Sequence, residues 1–281
     1  MSTVRALLDE GVRALPGDEA RREAALLLRH VLDVSDAWLA AHPGDEVDAT
    51  RGVAFRDLVE RRVRGEPVAY LTGTRGFHDI ELRVAPGVLI PRPETEVLVE
   101  LALQRIPVDA DCHVADLGTG SGAIALAIAR ARPQARVVAT DTSGAALDIA
   151  RGNAARLRID NVEFRQGDWY AGLSGEHFDV IVSNPPYIAE GDPHLGEGDL
   201  RFEPAAALAS GADGLEAIRA IVRGARQHLR NGGWLLLEHG LDQGAGVRDL
   251  LLEHSLAEVF TQNDLEDRER ATGGRISFPV L

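Results

Sequence analysis

Four residues, Asn184-Pro185-Pro186-Tyr187, close the apolar stretch Phe178-Asp179-Val180-Ile181-Val182-Ser183 and carry the most specific chemical signal in the chain. Two consecutive prolines fix the backbone and lack N–H donors, so the carbonyls around them are free to face a ligand. The asparagine adds a side-chain carbonyl oxygen. Two acceptors held rigidly at a strand end suit an NH₂ group, and Tyr187 can pack on the planar face of whatever carries it. A rigid surface turn would explain the prolines but not the whole set. The chemistry open to it is transfer to a planar amide or amine nitrogen.

Three further groups sit at ends of expected strands. Val114-Ala115-Asp116-Leu117-Gly118-Thr119-Gly120-Ser121-Gly122 precedes the apolar run Ala123 to Ala129. A strand that ends in glycines and opens a helix lets a ligand approach the backbone closely. The spacing Gly-x-Gly-x-Gly is not the Gly-x-Gly-x-x-Gly of dinucleotide sites. Asp116 would repel a pyrophosphate but can accept from an amino-acid ammonium group, a combination that suits S-adenosylmethionine. Asp141 ends Val137-Val138-Ala139-Thr140, where an acid can accept both ribose hydroxyls. A helix cap is the competing role, which Thr142 or Ser143 could fill instead. Asp168 and Trp169 follow Val162 to Gln166, placed to meet an adenine amine and to cover its ring.

Those strand ends need a scaffold. From His113 onward, strands read over 113–117, 136–140, 162–166, 178–183, 233–238, 256–262 and 274–279 alternate with helices near 122–131, 143–156, 213–230 and 243–254. The pattern predicts an α/β fold with a mostly parallel, doubly wound sheet and ligand sites at the carboxyl ends of its strands. Upstream, Val4, Leu7, Leu8, Val12 and Leu15 follow a possible cap at Ser2 or Thr3 at helical spacing. A second helix carries Ala24, Leu27, Leu28, Val31 and Leu32; a third, from about Asp48 to Arg64, carries Phe55, Leu58, Val59 and Val63. Glycines and an alternating stretch over 80–84 predict a β-hairpin between Tyr70 and Ile90. Another helix starts near Pro91 and Pro93. The expected division is a helical domain over 1–70, a hairpin linker over 71–90 and a cofactor-binding domain over 91–281.

The chain has 281 residues, 45% of them apolar, enough for a large core. No apolar run reaches bilayer length, and the N-terminus shows no secretory signal. The single cysteine, Cys112, excludes an internal disulfide and a cysteine-based zinc site, and suits the cytoplasm. Cys112 reads as a packing residue and His239 as structural, so no metal is expected. The net charge is -14, with arginine supplying all thirty basic residues. So acidic a chain lacks the overall basic footprint of a nucleic-acid enzyme, which would then need a local basic patch. Arg61, Arg62 and Arg64 read as a solvated helix face in preference to a partner contact.

With those residues laid out, the sequence resembles the HemK/PrmC family of protein-glutamine methyltransferases over nearly its whole length. The narrow signals are Gly65-Glu66-Pro67-Val68-Ala69-Tyr70-Leu71, Ile90-Pro91-Arg92-Pro93-Glu94-Thr95-Glu96, and Phe202-Glu203-Pro204 with Asp213-Gly214-Leu215. The glycine turn and the tetrad are shared with other amino-methyltransferases. The resemblance implies a seven-stranded Rossmann-like class I methyltransferase domain behind a small helical domain that recognises the substrate. It implies that Gly118, Thr119, Gly120, Ser121, Gly122, Asp141, Trp169 and Asn184 bind S-adenosylmethionine. It also implies that Asn184, Pro185, Pro186 and Tyr187 hold the glutamine of the Gly-Gly-Gln loop in class-1 peptide chain release factors, the reaction of translation termination. The family's Glu-Ile-Gly stretch is Glu238-His239-Gly240 here, and Asp264 to Arg270 is more charged than its family counterpart.

Asn184, Pro185 and Tyr187 are the catalytic candidates: the Asn184 side-chain oxygen and the Pro185 carbonyl would accept both amide hydrogens and stabilise the charge growing on nitrogen. Other readings remain. A DNA or RNA adenine methyltransferase could use the same tetrad but must extrude a base and bind backbone phosphates. A non-catalytic binding factor would hold the cofactor without transfer. The expected partner is a release factor, with no direct nucleic acid or membrane contact, and the expected state is a monomer.

Overall fold

Apolar residues at helical spacing need a common core, and Val4, Leu7, Ala24, Leu27, Leu28 and Phe55 meet in one, each fully buried. The computed structural model describes residues 2–277. Its first unit runs to Thr74 and also takes in Glu197–Phe202. It holds α1 (Val4–Ala14), α2 (Ala20–Leu32), α3 (Asp36–Ala41), α4 (Ala49–Val63) and α5 (Val68–Thr72), with β1 (Ser2–Thr3) paired to β2 (Glu46–Val47). Thr3 caps α1, its hydroxyl accepting from the Ala6 N–H at 3.2 Å, and Asp48 caps α4 through the Arg51 N–H. The helices α3 and α5, with six and five residues, are too short to show a hydrophobic period and were not expected as separate elements.

The arginines of α4 differ from expectation. Arg61 forms a two-pronged pair with Glu66, and Arg62 pairs with both Glu23 oxygens and with Asp199 at 2.8 Å. Glu23, Glu66 and Asp199 satisfy these guanidinium groups, so only Arg64 remains on an exposed face.

The second unit begins at Arg75. Strands β3 (Thr74–Phe77) and β4 (Ile80–Arg83) form a two-stranded sheet. A 3₁₀ turn, Pro93–Thr95, leads into α6 (Glu96–Leu103). The rest alternates: β5 (His113–Leu117), α7 (Ala123–Ala131), β6 (Arg136–Asp141), α8 (Gly144–Leu157), β7 (Val162–Gln166), β8 (Phe178–Ser183), α9 (Glu216–His228), β9 (Leu229–Glu238), α10 (Gly244–Glu253), β10 (Leu256–Asn263) and β11 (Glu269–Ile276). The sheet order is β10-β11-β9-β8-β5-β6-β7, with β11 alone antiparallel to its neighbours. This is the mostly parallel, doubly wound sheet expected from the alternation, in the seven-stranded class I form that the family resemblance implies.

Both faces of the sheet are covered, as a parallel sheet requires. Val114, Val180 and Val182 join α6 and α7 in one core; Ala115, Ile181 and Leu235 join α9 and α10 in the other. Two strand starts moved. Strand β9 starts at Leu229, because Gly232 and Gly233 form an irregularity in the pairing with β8 and do not break the strand. A Cβ at Gly233 would lie 3.0 Å from the Phe178 carbonyl oxygen. Strand β11 starts at Glu269, five residues before the expected position, and Phe278 and Pro279 of the expected strand lie outside the described residues. The charged turn before it is organised by Asp264, which accepts from the Glu266 and Arg268 N–H groups and pairs with buried Arg270.

Candidate active site

The chain crosses from β5 outward to β6 and β7, then returns to place β8 on the other side of β5. Such a reversal opens a crevice at the carboxyl ends of the two central strands. Here it is a cleft of about 300 Å³ whose walls include Gly118, Gly120, Asp141, Asp168, Trp169, Asn184 and Pro186. The glycine turn and the tetrad, 66 residues apart, are thereby brought together; Ser183 Oγ donates to the Leu117 carbonyl at 2.6 Å and ties the two strand ends.

Gly118 and Gly120 have φ of +75° and +57°, the left-handed region that other residues enter at a cost. A Cβ on Gly118 would come within 3.4 Å of the Trp169 ring. Trp169 is itself left-handed, its carbonyl held by the Thr140 hydroxyl at 3.1 Å. Asp141 accepts the Gly120 N–H at 2.9 Å and the Ser143 N–H at 2.8 Å, which leaves lone pairs on both oxygens. Ser143 performs the capping of α8. Beneath the turn, fully buried Asp116 accepts from Thr119 Oγ1 and from the Ala125 N–H through Oδ2, while Oδ1 has no partner. Burial raises its pKa to about 7, against the two hydrogen bonds that lower it. An orphaned carboxylate oxygen at this depth fits a cationic N–H donor.

Not every residue of the turn faces the cleft. Thr119 and Ser121 are buried, the first by its bond to Asp116 and the second with its carbonyl accepting from Asn153 Nδ2. Gly122 packs on Leu126 at the start of α7. These three shape the turn from behind.

In the tetrad, Asn184 donates through Nδ2 to Thr95 Oγ1 at 3.1 Å. Neither Asn184 Oδ1 nor the Pro185 carbonyl accepts a hydrogen bond from the described residues. Pro185 is buried, and Tyr187 stands behind the cleft wall, its hydroxyl donating to Glu238 Oε1 at 3.3 Å. Burial and the neighbouring Glu238 push the Tyr187 phenol far above its ordinary range, so it stays protonated at neutral pH. The Tyr187 carbonyl accepts from Gln243 Nε2 at 2.9 Å. Gly214, with φ of +76°, approaches that carbonyl so closely that a Cβ would lie 2.2 Å from its oxygen.

The loop that follows returns to the cleft. Glu203 is buried, accepts the Ile90 N–H and pairs with Arg92, linking the two proline-containing segments of narrow sequence signal. Pro204, Ala206 and Ala207 then line the wall. Thr95, Glu238 and Gln243, which support the tetrad, were not among the expected site residues. Thr95 precedes Asn184 by 89 positions and Glu238 follows Tyr187 by 51, so although both lie in segments that carry the family resemblance, nothing in the sequence ties them to the tetrad. His239 is fully buried with Nε2 against Thr272 Oγ1, and burial depresses its pKa. Among the described residues no cluster of His, Cys, Asp or Glu could hold a metal ion, and no helix is long and apolar enough to cross a membrane.

Two family models match: a PrmC N-terminal domain over residues 6–73 and a methyltransferase small domain over 93–199. The release factor glutamine methyltransferase of Xylella fastidiosa is 58% identical over 91% of this chain and 93% of its own length. The protein of that name from Escherichia coli is 44% identical over 95% and 97%. Among solved structures, a methyltransferase from Pyrococcus furiosus covers 70% of this chain and 89% of its own at a TM-score of 0.53 and 18% identity, a likeness of fold alone.

Proposed function

This chain belongs to the release factor glutamine methyltransferase family, and on that premise we propose that it methylates the side-chain amide nitrogen of the glutamine in the Gly-Gly-Gln loop of class-1 peptide chain release factors. The observation that carries the reading is the polarity of Asn184: with its NH₂ committed to Thr95, its carbonyl oxygen is the edge left for a ligand. S-adenosylmethionine, when bound, supplies a methyl group already activated on sulfur. The cleft walls fit it: glycines that admit a close ligand, Asp141 for the ribose, and Asp168 and Trp169 for the adenine; beneath the turn, the orphaned oxygen of buried Asp116 suits the ammonium group.

The work left to the protein is alignment, because an amide nitrogen is a poor nucleophile whose lone pair is delocalised. Asn184 Oδ1 and the Pro185 carbonyl accept the two amide hydrogens, fix the nitrogen in line and stabilise the positive charge that grows on it, each contact contributing about 2–4 kcal/mol in the transition state. Tyr187 positions the amide plane. Its raised pKa excludes it as a base at neutral pH, so the methylated nitrogen gives up its extra proton after transfer, to solvent water. The helical first unit serves recognition of the factor, and the enzyme acts as a cytoplasmic monomer.

The test is transfer of labelled methyl to an intact release factor, beside a copy with its Gly-Gly-Gln glutamine changed to alanine. Label on the intact factor alone supports the proposal. Equal labelling of both copies, or of neither, overturns it.

A further inference from the structure

Glu238 is fully buried at the end of β9, and a carboxylate in that position is destabilising unless it does something there. One oxygen accepts from the Tyr187 hydroxyl; the Thr95 hydroxyl lies beside the same carboxyl and favours its ionised form, and Oε2 has no hydrogen-bond partner among the described residues. Thr95 is the residue that receives the Asn184 NH₂. Asn184 is thus bonded to Thr95 and Tyr187 to Glu238, and the Thr95 hydroxyl beside the Glu238 carboxyl brings the two pairs together, with the working side chains of the tetrad as their outer members.

A threonine hydroxyl can give a proton to an asparagine oxygen or take one from an asparagine nitrogen. Thr95 alone leaves both orientations of the Asn184 amide open. Only one of them turns Oδ1 toward a substrate NH₂; the other presents donors to donors. An ionised carboxylate can only accept. With Glu238 taking the Thr95 proton, Thr95 offers a lone pair, and Asn184 must answer with its NH₂. We propose that Glu238 is a positioning residue that, through the Thr95 and Tyr187 hydroxyls, locks the Asn184 amide with its oxygen toward the substrate and the Tyr187 ring in place. The role rests on the amide-methylation reading of the same site.

The charge state of Glu238 then matters. Burial raises its pKa to about 7; Thr95, Arg270 from β11 and the Tyr187 hydroxyl pull it back, and Glu94 from the 3₁₀ turn opposes them. His239 beside it is held against Thr272 and is depressed by burial, so it adds no charge at that pH. Protonated Glu238 can donate to Thr95, which frees the Thr95 proton for Asn184 Oδ1 and turns the amide the wrong way. A glutamine at 238 can do the same at any pH.

The experiment compares wild type, E238Q, T95V and T95S in methyl transfer to a release factor across pH 5.5–8.5, with both substrates saturating and cofactor affinity measured separately. The expected result is a fall in kcat of roughly ten- to a hundredfold in E238Q and T95V with cofactor affinity unchanged, the size typical of supporting residues. Wild type and T95S should share an acid limb near pH 7 that E238Q lacks. Folded E238Q and T95V enzymes that match wild type in kcat and in the acid limb overturn the positioning role, as does T95S failing alongside T95V. A wild-type chain that binds the cofactor yet labels no release factor overturns the functional reading itself, and the positioning role with it.

Discussion

The glycine turn after β5 and the tetrad after β8 occupy neighbouring strand ends, yet they are held in place in opposite ways. The turn is a backbone device: Gly118 and Gly120 take left-handed φ, and nearby groups, Asp116 and Asp141, fasten it through N–H and hydroxyl bonds. The tetrad is a side-chain device whose supports come from afar. Thr95 arrives from the turn before α6, Glu238 from the end of β9, Gln243 from the start of α10 and Gly214 from the loop before α9. A ligand gripped by backbone needs room and a fixed curve, whereas a substrate amide must be oriented by acceptors of the right polarity. The first demand is met by residue type in one turn with help from the adjacent strand end, the second by convergence of many places.

Substitutions should separate the two. Asn184→Ala removes an acceptor used in the transition state and should lower kcat by about 10²- to 10³-fold in single-turnover methyl transfer; near-normal turnover would end the case for the tetrad. A matched pair of glycine changes comes next. Gly214→Ala sets a Cβ 2.2 Å from the Tyr187 carbonyl oxygen, so the tetrad must move, and a displacement of that kind costs up to about a hundredfold in kcat. Gly118→Ala meets only the Trp169 ring and a left-handed φ, a strain of about 1–2 kcal/mol. Its defect should be roughly tenfold in cofactor affinity, read by calorimetry, with kcat at saturation preserved. If both glycine variants failed in the same parameter, the distinction between the two strand ends would collapse.

A smaller effect comes from pH. Asp116 has its folded pKa raised from 3.8 to about 7 by burial, so below that pH the carboxyl is largely protonated and poorly suited to an ammonium group. Cofactor affinity should weaken several-fold on going from pH 8 to pH 6, and Asp116→Asn should abolish that dependence. Stability of the cofactor-free protein runs the other way. A pKa raised on folding gives a contribution that is complete below the unfolded value and is lost as pH rises through the folded one. Thermal unfolding should therefore occur at lower temperature at pH 8 than at pH 5.5, with Asp116 and Glu238 responsible, and saturating cofactor should shrink the Asp116 share. A binding profile that is flat in wild type would mean that Asp116 does not face the ammonium group.

The same contrast explains what the sequence revealed. The parallel sheet was legible because its central strands are short apolar runs, separated by helices and ending at glycine, acid or the Asn-Pro-Pro turn. Gly118, Asp141 and Asn184 were legible because residue type and strand-end position coincide. Thr95 and Glu238 were not, since a threonine inside a proline-rich turn and an acid at a strand end are ordinary until the fold brings them together behind the tetrad. Thr119, Ser121 and Gly122 carry a different lesson: residue type places them in the glycine turn, and only the fold shows that their side chains or packing are turned away from the cleft. The glycines at 232 and 233 look like a break, and only the register with β8 shows that the strand runs through them.

The bond joining the two strand ends gives the smallest and most diagnostic effect. Ser183 Oγ, fully buried, donates to the Leu117 carbonyl, one residue before Asn184 on one side and one before Gly118 on the other. Ser183→Ala removes a single neutral hydrogen bond and should lower stability by about 1 kcal/mol. The neighbouring ladders, Asp116 with Val182 and Leu117 with Thr140, keep both strands in register, so neither site loses its own supports. If the turn and the tetrad are built independently, cofactor affinity and kcat should both stay within about twofold of wild type, a change of roughly 0.4 kcal/mol, while the melting temperature falls. A large loss in one parameter alone would show that this side of the crevice leans on its neighbour, and the two strand ends would then have to be treated as one device.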